Sequence, residues 1–150
     1  TIKGVVPLRE NWEYRRGDLY LADLDPTKGA ESGGMRPVLV IQNNKGNHYA
    51  PTLIVGPLTS NIEKNPNQPT HFLLVQGNGL YKPSMVILEQ IRTIDKCRII
   101  RYMGRLEREV MDSSAFFHCL AASLSIDENQ MHSLAVRKGA DYDTGRNEKC

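Results

Sequence analysis

The sequence predicts a mainly β fold of the α+β class, a small barrel or rolled sheet of short strands followed by a helix. Three observations carry this expectation. Short apolar runs recur between clusters of Gly, Pro and Asn, which is the pattern of strands joined by turns. In the C-terminal third the hydrophobic period changes from strand-like to helical. The chain has 150 residues, 40% of them apolar and 24% charged, which suits one soluble domain with a core of its own.

The elements follow in order. Residues 1–15 are mixed in charge and read as an N-terminal extension, closed by Arg15-Arg16-Gly17-Asp18. In "DLYLADLD", Leu19, Leu21 and Asp23 alternate with Tyr20, Ala22 and Leu24. The first strand therefore has apolar groups on both faces. "PTKGAESGGM" is rich in Gly and small polar residues, holds no bulky anchor and reads as a mobile loop. Pro37 to Ile41 is the second strand and "QNNKGN" a turn. Thr52 to Val55 is the third strand, bent or ended by Gly56-Pro57 before Leu58-Thr59-Ser60. "NIEKNPNQP" is a second polar loop, His71 to Val75 a fourth strand, "QGNG" a turn, and Met85 to Ile94 a fifth strand.

From Leu106 onward, Val110, Phe117, Leu120, Ala121 and Leu124 recur at helical spacing. They predict one amphipathic helix of about five turns, packed across the barrel. "RKGADYDTGRNEKC" is polar and reads as a disordered tail within a C-terminal extension, residues 127–150.

Composition narrows the function classes. A net charge of +2 is too small for a general basic surface, so any polyanion site must be a local groove. No apolar run reaches the length of a membrane span, and the opening residues show no signal-peptide layout. Cys97, Cys119 and Cys150 form no Cys-x-x-Cys, and His48, His71, His118 and His132 lack ligand spacing. The chain therefore reads as free of metal and cofactor, with reduced thiols suited to the cytoplasm.

Three local patterns suggest chemistry. In "GGMRPVLVIQNN", Arg36 stands at the mouth of an apolar strand. Its guanidinium offers a planar fork of donors suited to phosphate, and Pro37 biases it toward extended backbone. Gly33 and Gly34 would let a ligand approach the chain closely. In "VILEQIRTID", Glu89 and Gln90 put polar groups on both faces of an otherwise buried strand. Such a pair is costly unless it is hydrogen-bonded or used. Glu89 could equally be a simple ion-pair partner of Arg92 or another cation. Thr59, just past the Gly56-Pro57 break, is a third candidate, or a β-former whose hydroxyl bonds the backbone.

Taken together, "RGDLYLADLDP", "GGMRPVLVIQNNKGN", "PTLIVGPLTS" and "VILEQIRTIDK" resemble the MazF/PemK family of toxin endoribonucleases. The resemblance runs over residues 16–126. It implies an SH3-like small barrel of about five to seven strands with a long C-terminal helix, and a homodimer. It also implies metal-independent, sequence-specific cleavage of single-stranded RNA, and neutralisation by a cognate antitoxin with an acidic tail. Carried over by residue, the resemblance makes Arg36 and Thr59 catalytic and sets Gln90 beside the substrate. Many relatives have a serine after the loop glycine that matches Gly29, where this chain has Ala30.

The loops flanking this site supply further candidates for RNA contact: Lys28, Glu31, Asn61 and Lys64. Cleavage by the adjacent 2′-hydroxyl would leave a 2′,3′-cyclic phosphate and a 5′-hydroxyl. Arginine is not deprotonated at ordinary pH, so Arg36 is expected to stabilise charge rather than act as base. His48 is a possible base. The rival readings are a gyrase-poisoning toxin of the CcdB type, whose activity depends on a tryptophan that here could only be Trp12, and a non-catalytic binding barrel.

Overall fold

The computed structural model describes residues 8–64, 67–75, 77–127 and 129. Its centre is a set of three strands buried on both faces: β1 (Asp18–Asp23), β2 (Met35–Val40) and β3 (Thr52–Thr59). Leu19, Leu39 and Leu58 point into one core with Val86, Leu88 and Phe116. Tyr20, Ala22, Val38, Val40, Leu53 and Val55 point into a second, covered by Leu8, Trp12, Tyr14 and Ile99. Residues 8–15, expected to be an extension, thus include part of the lid on the second core. Trp12 Nε1 donates to Tyr20 Oη at 2.8 Å, and Tyr20 donates to the buried Asp18 carboxylate at 2.6 Å. Arg105 Nε donates to the other Asp18 oxygen at 2.6 Å, so the buried charge is paired and hydrogen-bonded.

The seven strands form one antiparallel sheet in the order β4-β5-β3-β2-β1-β7, with β6 also paired to β3. The remaining strands are β4 (His71–Leu74), β5 (Ser84–Ile87), β6 (Arg92–Asp95) and β7 (Ile99–Arg105). The turn after β4 reaches across to β7. A Cβ on Gly79 would collide with the Met103 carbonyl, and one on Gly104 with the Asn78 carbonyl. Only glycine on both sides lets the two ends of the sheet meet backbone to backbone.

Several expectations change, the first being the break at Gly56-Pro57: β3 runs through both residues to Thr59 as one strand, with Gly56 and Pro57 paired to Leu39 and Val38. "QNNKGN" is no turn but carries the short helix α1 (Asn44–Tyr49), capped by Asn43, whose side chain accepts from Gly46 N. The fifth strand is interrupted: β5 ends at Ile87, a 3₁₀ turn spans Leu88–Gln90, and β6 resumes at Arg92. The break lets one stretch of chain pair with both ends of β3, since β5 meets Leu58–Thr59 and β6 meets Thr52–Val55.

The single long helix is two, α2 (Arg108–Met111) and α3 (Ser114–Leu124). Ser113 divides them by accepting from Phe116 N, an N-cap that starts a new helix rather than continuing the old one. α3 buries Phe116 against Phe72 of β4, with ring centroids 5.3 Å apart at 89°. The rest of the C-terminal extension lies outside the described residues, apart from Asp127 and Asn129.

Candidate active site

The β2–β3 ladder positions the site. Its register runs Val40 to Val55, Leu39 to Gly56 and Val38 to Pro57. The pairing ends there, and the same register carried two residues further brings Arg36 level with Thr59. Each is also held from its far side, Arg36 by Ala22 of β1 and Thr59 by Met85 of β5. Strand alternation puts both side chains on the same face. Both line a cleft of about 370 Å³ whose walls include Leu58, Tyr81, Lys82 and Met103.

Arg36 is half-buried and its Nε donates to the Gly33 carbonyl at 2.8 Å. That bond ties down one edge of the guanidinium, and among the described residues the two terminal nitrogens make no hydrogen bond. The glycines act differently from the expectation. A Cβ on Gly33 would strike Thr27 Oγ1 and Asp25 Oδ1 at 2.6 and 2.7 Å, and Gly34 has φ +72°. Both are needed to fold the loop so that the Gly33 carbonyl reaches Arg36. Thr59 Oγ1 accepts from Asn61 N at 3.2 Å, which leaves its hydroxyl proton to be donated into the cleft.

The 25–34 loop is anchored. Asp25 Oδ1 accepts from Gly34 N at 2.9 Å, and Gln90 Oε1 accepts from Ser32 N at 2.6 Å. Gln90 Nε2 also donates to the Ala30 carbonyl at 3.4 Å. The polar interruption at Glu89 and Gln90 therefore falls on the 3₁₀ turn, where Gln90 clasps the loop that carries the Arg36 partner. Gln90 lines a separate hollow of about 430 Å³ with Ala30, Glu31 and Arg92.

Glu89 pairs with His71 rather than Arg92, at 2.7 Å. Burial works against its carboxylate, but the nearby Thr70 hydroxyl, the backbone and the His71 side chain outweigh this and hold its pKa below the ordinary value.

The remaining candidates lie outside the cleft walls. Lys28 N donates to the Glu31 carboxylate at 3.1 Å, and Glu31 N to the Lys28 carbonyl. The two residues thus form a local turn in the loop. Asn61 is exposed at the end of β3, and Lys64 is exposed further into the following loop. His48 lines another hollow with Tyr14, Asn47 and Lys96, away from Arg36 and Thr59. Cys97 and Cys119 have raised pKa values, Cys97 first through its hydrogen bond with Asp95 and Cys119 through burial. Neither is an activated thiolate. Among the described residues no three His, Cys, Asp or Glu side chains converge as metal ligands, and no helix is long and apolar enough to cross a membrane.

Sequence reasoning missed Tyr81 and Lys82 as cleft residues. Their placement depends on the contact of the preceding turn with β7, which no local pattern announces.

Arg36 and Thr59 thus line one open cleft, each carried by a strand of the central, doubly buried set. Residues 15–114 match the family described as PemK-like, MazF-like toxin of type II toxin-antitoxin system, and the chain belongs to that family. It is 48% identical over 99 residues to Endoribonuclease EndoA of Bacillus subtilis, covering 65% of this chain and 84% of that one. It is 52% identical over 86 residues to Endoribonuclease MazF of Staphylococcus saprophyticus, covering 57% and 71%. Among solved structures, MazF from Deinococcus radiodurans shares the fold with a TM-score of 0.65 at 22% identity, over 77% of this chain and 99% of that one. The Mycobacterium tuberculosis toxin MazF-mt6 does so with 0.61 at 23% identity, over 73% and 98%.

Proposed function

We propose that this chain is the toxin of a type II toxin–antitoxin pair and acts in the cytoplasm as an endoribonuclease on single-stranded RNA. Its partners are a second copy of itself and an antitoxin whose acidic tail covers the cleft. The observation that carries the reading is the juxtaposition of Arg36 and Thr59 on adjacent strands at the cleft.

In the reaction the 2′-oxygen attacks the adjacent phosphorus in line. The 2′-hydroxyl gives up its proton to solvent as the new P–O bond forms, the bond to the 5′-oxygen breaks, and that oxygen takes up a proton from solvent. Negative charge gathers on the non-bridging oxygens at the moment of transfer. The terminal nitrogens of Arg36 donate to those oxygens, and Thr59 donates its hydroxyl hydrogen to the phosphate and so orients it. Both groups are held before the substrate arrives, by the Gly33 carbonyl and the Asn61 amide. That is the arrangement which makes electrostatic stabilisation effective. The products are a 2′,3′-cyclic phosphate and a 5′-hydroxyl. Domain limits of 16–126 for this unit, with residues 8–15 as a lid, fit the packing.

The gyrase-poisoning rival draws no support from Trp12, the only tryptophan of the sequence, which lies near the start and is engaged with Tyr20 over the second core. The test is incubation of the purified protein with a long mixed-sequence RNA in EDTA, followed by mapping of both new ends. Cuts at a recurring short sequence with 2′,3′-cyclic phosphate ends are expected. Intact RNA after incubation with folded protein would reject the nuclease and leave a binding barrel.

A further inference from the structure

We propose that Tyr81 is a base-stacking platform, its ring packing on a nucleobase of the single-stranded RNA bound with its scissile phosphate at Arg36 and Thr59. The inference rests on the nuclease reading for the identity of the ligand, and on the following geometry for the residue.

Tyr81 is 80% exposed although it lines the same cleft as Arg36 and Thr59. The other aromatic rings near the strands are engaged: Trp12, Tyr14, Tyr20 and Tyr102 with one another, and Phe72 with Phe116. Among the described residues, no hydrogen bond or ring contact engages Tyr81.

The backbone beneath the ring is well held. Leu80 before it is 6% exposed and Ser84 after it is 5% exposed. Gly77 and Leu80 exchange backbone hydrogen bonds at 3.2 and 2.9 Å. Gly79 lies against the β7 backbone. Ser84 Oγ donates to the Lys82 carbonyl at 3.1 Å. Tyr81, Lys82 and Pro83 are thus a short exposed knuckle clamped at both ends. A flat ring carried on held backbone gives up only the freedom of its two side-chain torsions when a base settles on it.

The chemistry around the ring favours a nucleotide. Arg36 and Lys82 supply positive charge for phosphates on either side, and single-stranded RNA binders pair such charges with aromatic faces on which bases stack. An acidic peptide would use the charges but gain less from the ring.

The test compares wild type with Tyr81→Ala, Tyr81→Phe and Tyr81→Trp. The ligand is an oligonucleotide spanning a mapped cut, with 2′-deoxyribose at the nucleotide that supplies the attacking hydroxyl, so that it binds without being cleaved. Affinity is read by fluorescence anisotropy, and kcat and KM on the cleavable form. Tyr81→Ala is expected to weaken binding and raise KM by roughly 5- to 100-fold, with kcat nearly unchanged. Phe and Trp should bind like wild type. An abasic site placed at the stacked position should remove the difference between wild type and Tyr81→Ala.

Binding by Tyr81→Ala within twofold of wild type overturns the platform, as does a Tyr81→Phe variant as weak as Tyr81→Ala. If wild type cuts no RNA, the nuclease reading fails by itself, and the anisotropy comparison on mixed-sequence single-stranded RNA still decides the role of Tyr81. Selective loss of binding to an acidic peptide, with RNA binding intact, would assign the ring to a protein partner and overturn the proposal.

Discussion

Gln90 receives the Ser32 amide at 2.6 Å from a 3₁₀ turn on the far side of the loop. Ser32 is one residue from Gly33, whose carbonyl holds Arg36 Nε. The glutamine therefore acts on the arginine through the loop it clasps.

Gln90→Ala should loosen that loop and leave the Ser32 amide without its partner, at about 1 to 3 kcal/mol. Cleavage is expected to fall roughly 10- to 100-fold, mainly in kcat, because Arg36 loses its fixed orientation. Gln90→Glu keeps an oxygen for the Ser32 amide and should recover most of the loss. Single-turnover cleavage kinetics, with thermal melts as the control, would check this. Equal damage from both substitutions would argue against the clasp.

Arg36→Ala should leave the melting temperature close to wild type, since the side chain makes one described hydrogen bond and sits half-exposed at a strand end. Cleavage should drop by about three decades or more, as for the loss of an arginine that stabilises phosphoryl transfer. Arg36→Lys should be nearly as poor, because a point charge cannot both bond the Gly33 carbonyl and present a fork to phosphate. Rates of end formation on one defined RNA would measure both.

The Glu89 carboxylate links stability to acid. Its pKa in the folded chain is lowered from the ordinary 4.5, so the unfolded chain binds the proton more readily. The stabilisation is present above that ordinary value and is lost as pH falls through the folded value. Melting temperature should therefore decline more steeply between about pH 5 and pH 3 in wild type than in Glu89→Gln. The difference should be modest, because the side chain is 36% exposed. Melting curves across that range supply the measurement.

Gly104→Ala tests closure of the sheet. Its φ is not in the left-handed region, so the new methyl is penalised only by its collision with the Asn78 carbonyl. Unfolding free energy should fall by about 1 to 3 kcal/mol, as overpacking does elsewhere. Cleavage should also weaken, because the turn that meets β7 leads directly into Tyr81 and Lys82. Denaturant titration and cleavage assays on the same sample would show both effects.

What could be read from the sequence was local. Alternation in "DLYLADLD" announced a strand with two apolar faces, and the structure supplies a core on each. Arg36 and Thr59 could be singled out because each sits at the end of an apolar run where a polar group needs a reason. The loop "PTKGAESGGM" reads as mobile in sequence because it holds no bulky residue. Its anchors, Asp25 and Gln90, are polar, and Gln90 is distant in sequence. Asn43 and Ser113 carry the caps of α1 and α3, but the Asn- and Gly-rich composition of "QNNKGN" hides the first and the continuous hydrophobic period from Leu106 hides the second. β7 was hidden by Arg101 and Arg105, which interrupt its apolar pattern. Nothing short of the folded sheet could bring Gly79 to Gly104.

The strands beneath Arg36 and Thr59 are packed on both sides, while the residues that rise around them stand on turns and loops open to water. Substitution in Val38, Val40, Val55 or Leu58 disturbs a core, whereas substitution in Tyr81, Lys82, Lys28 or Asn61 disturbs none. If Arg36 and Thr59 cut RNA as proposed, descendants of this chain can change which RNA they select by altering residues on turns and loops, with that pair inherited unaltered. Selection for a new target and selection for folding act on different residues.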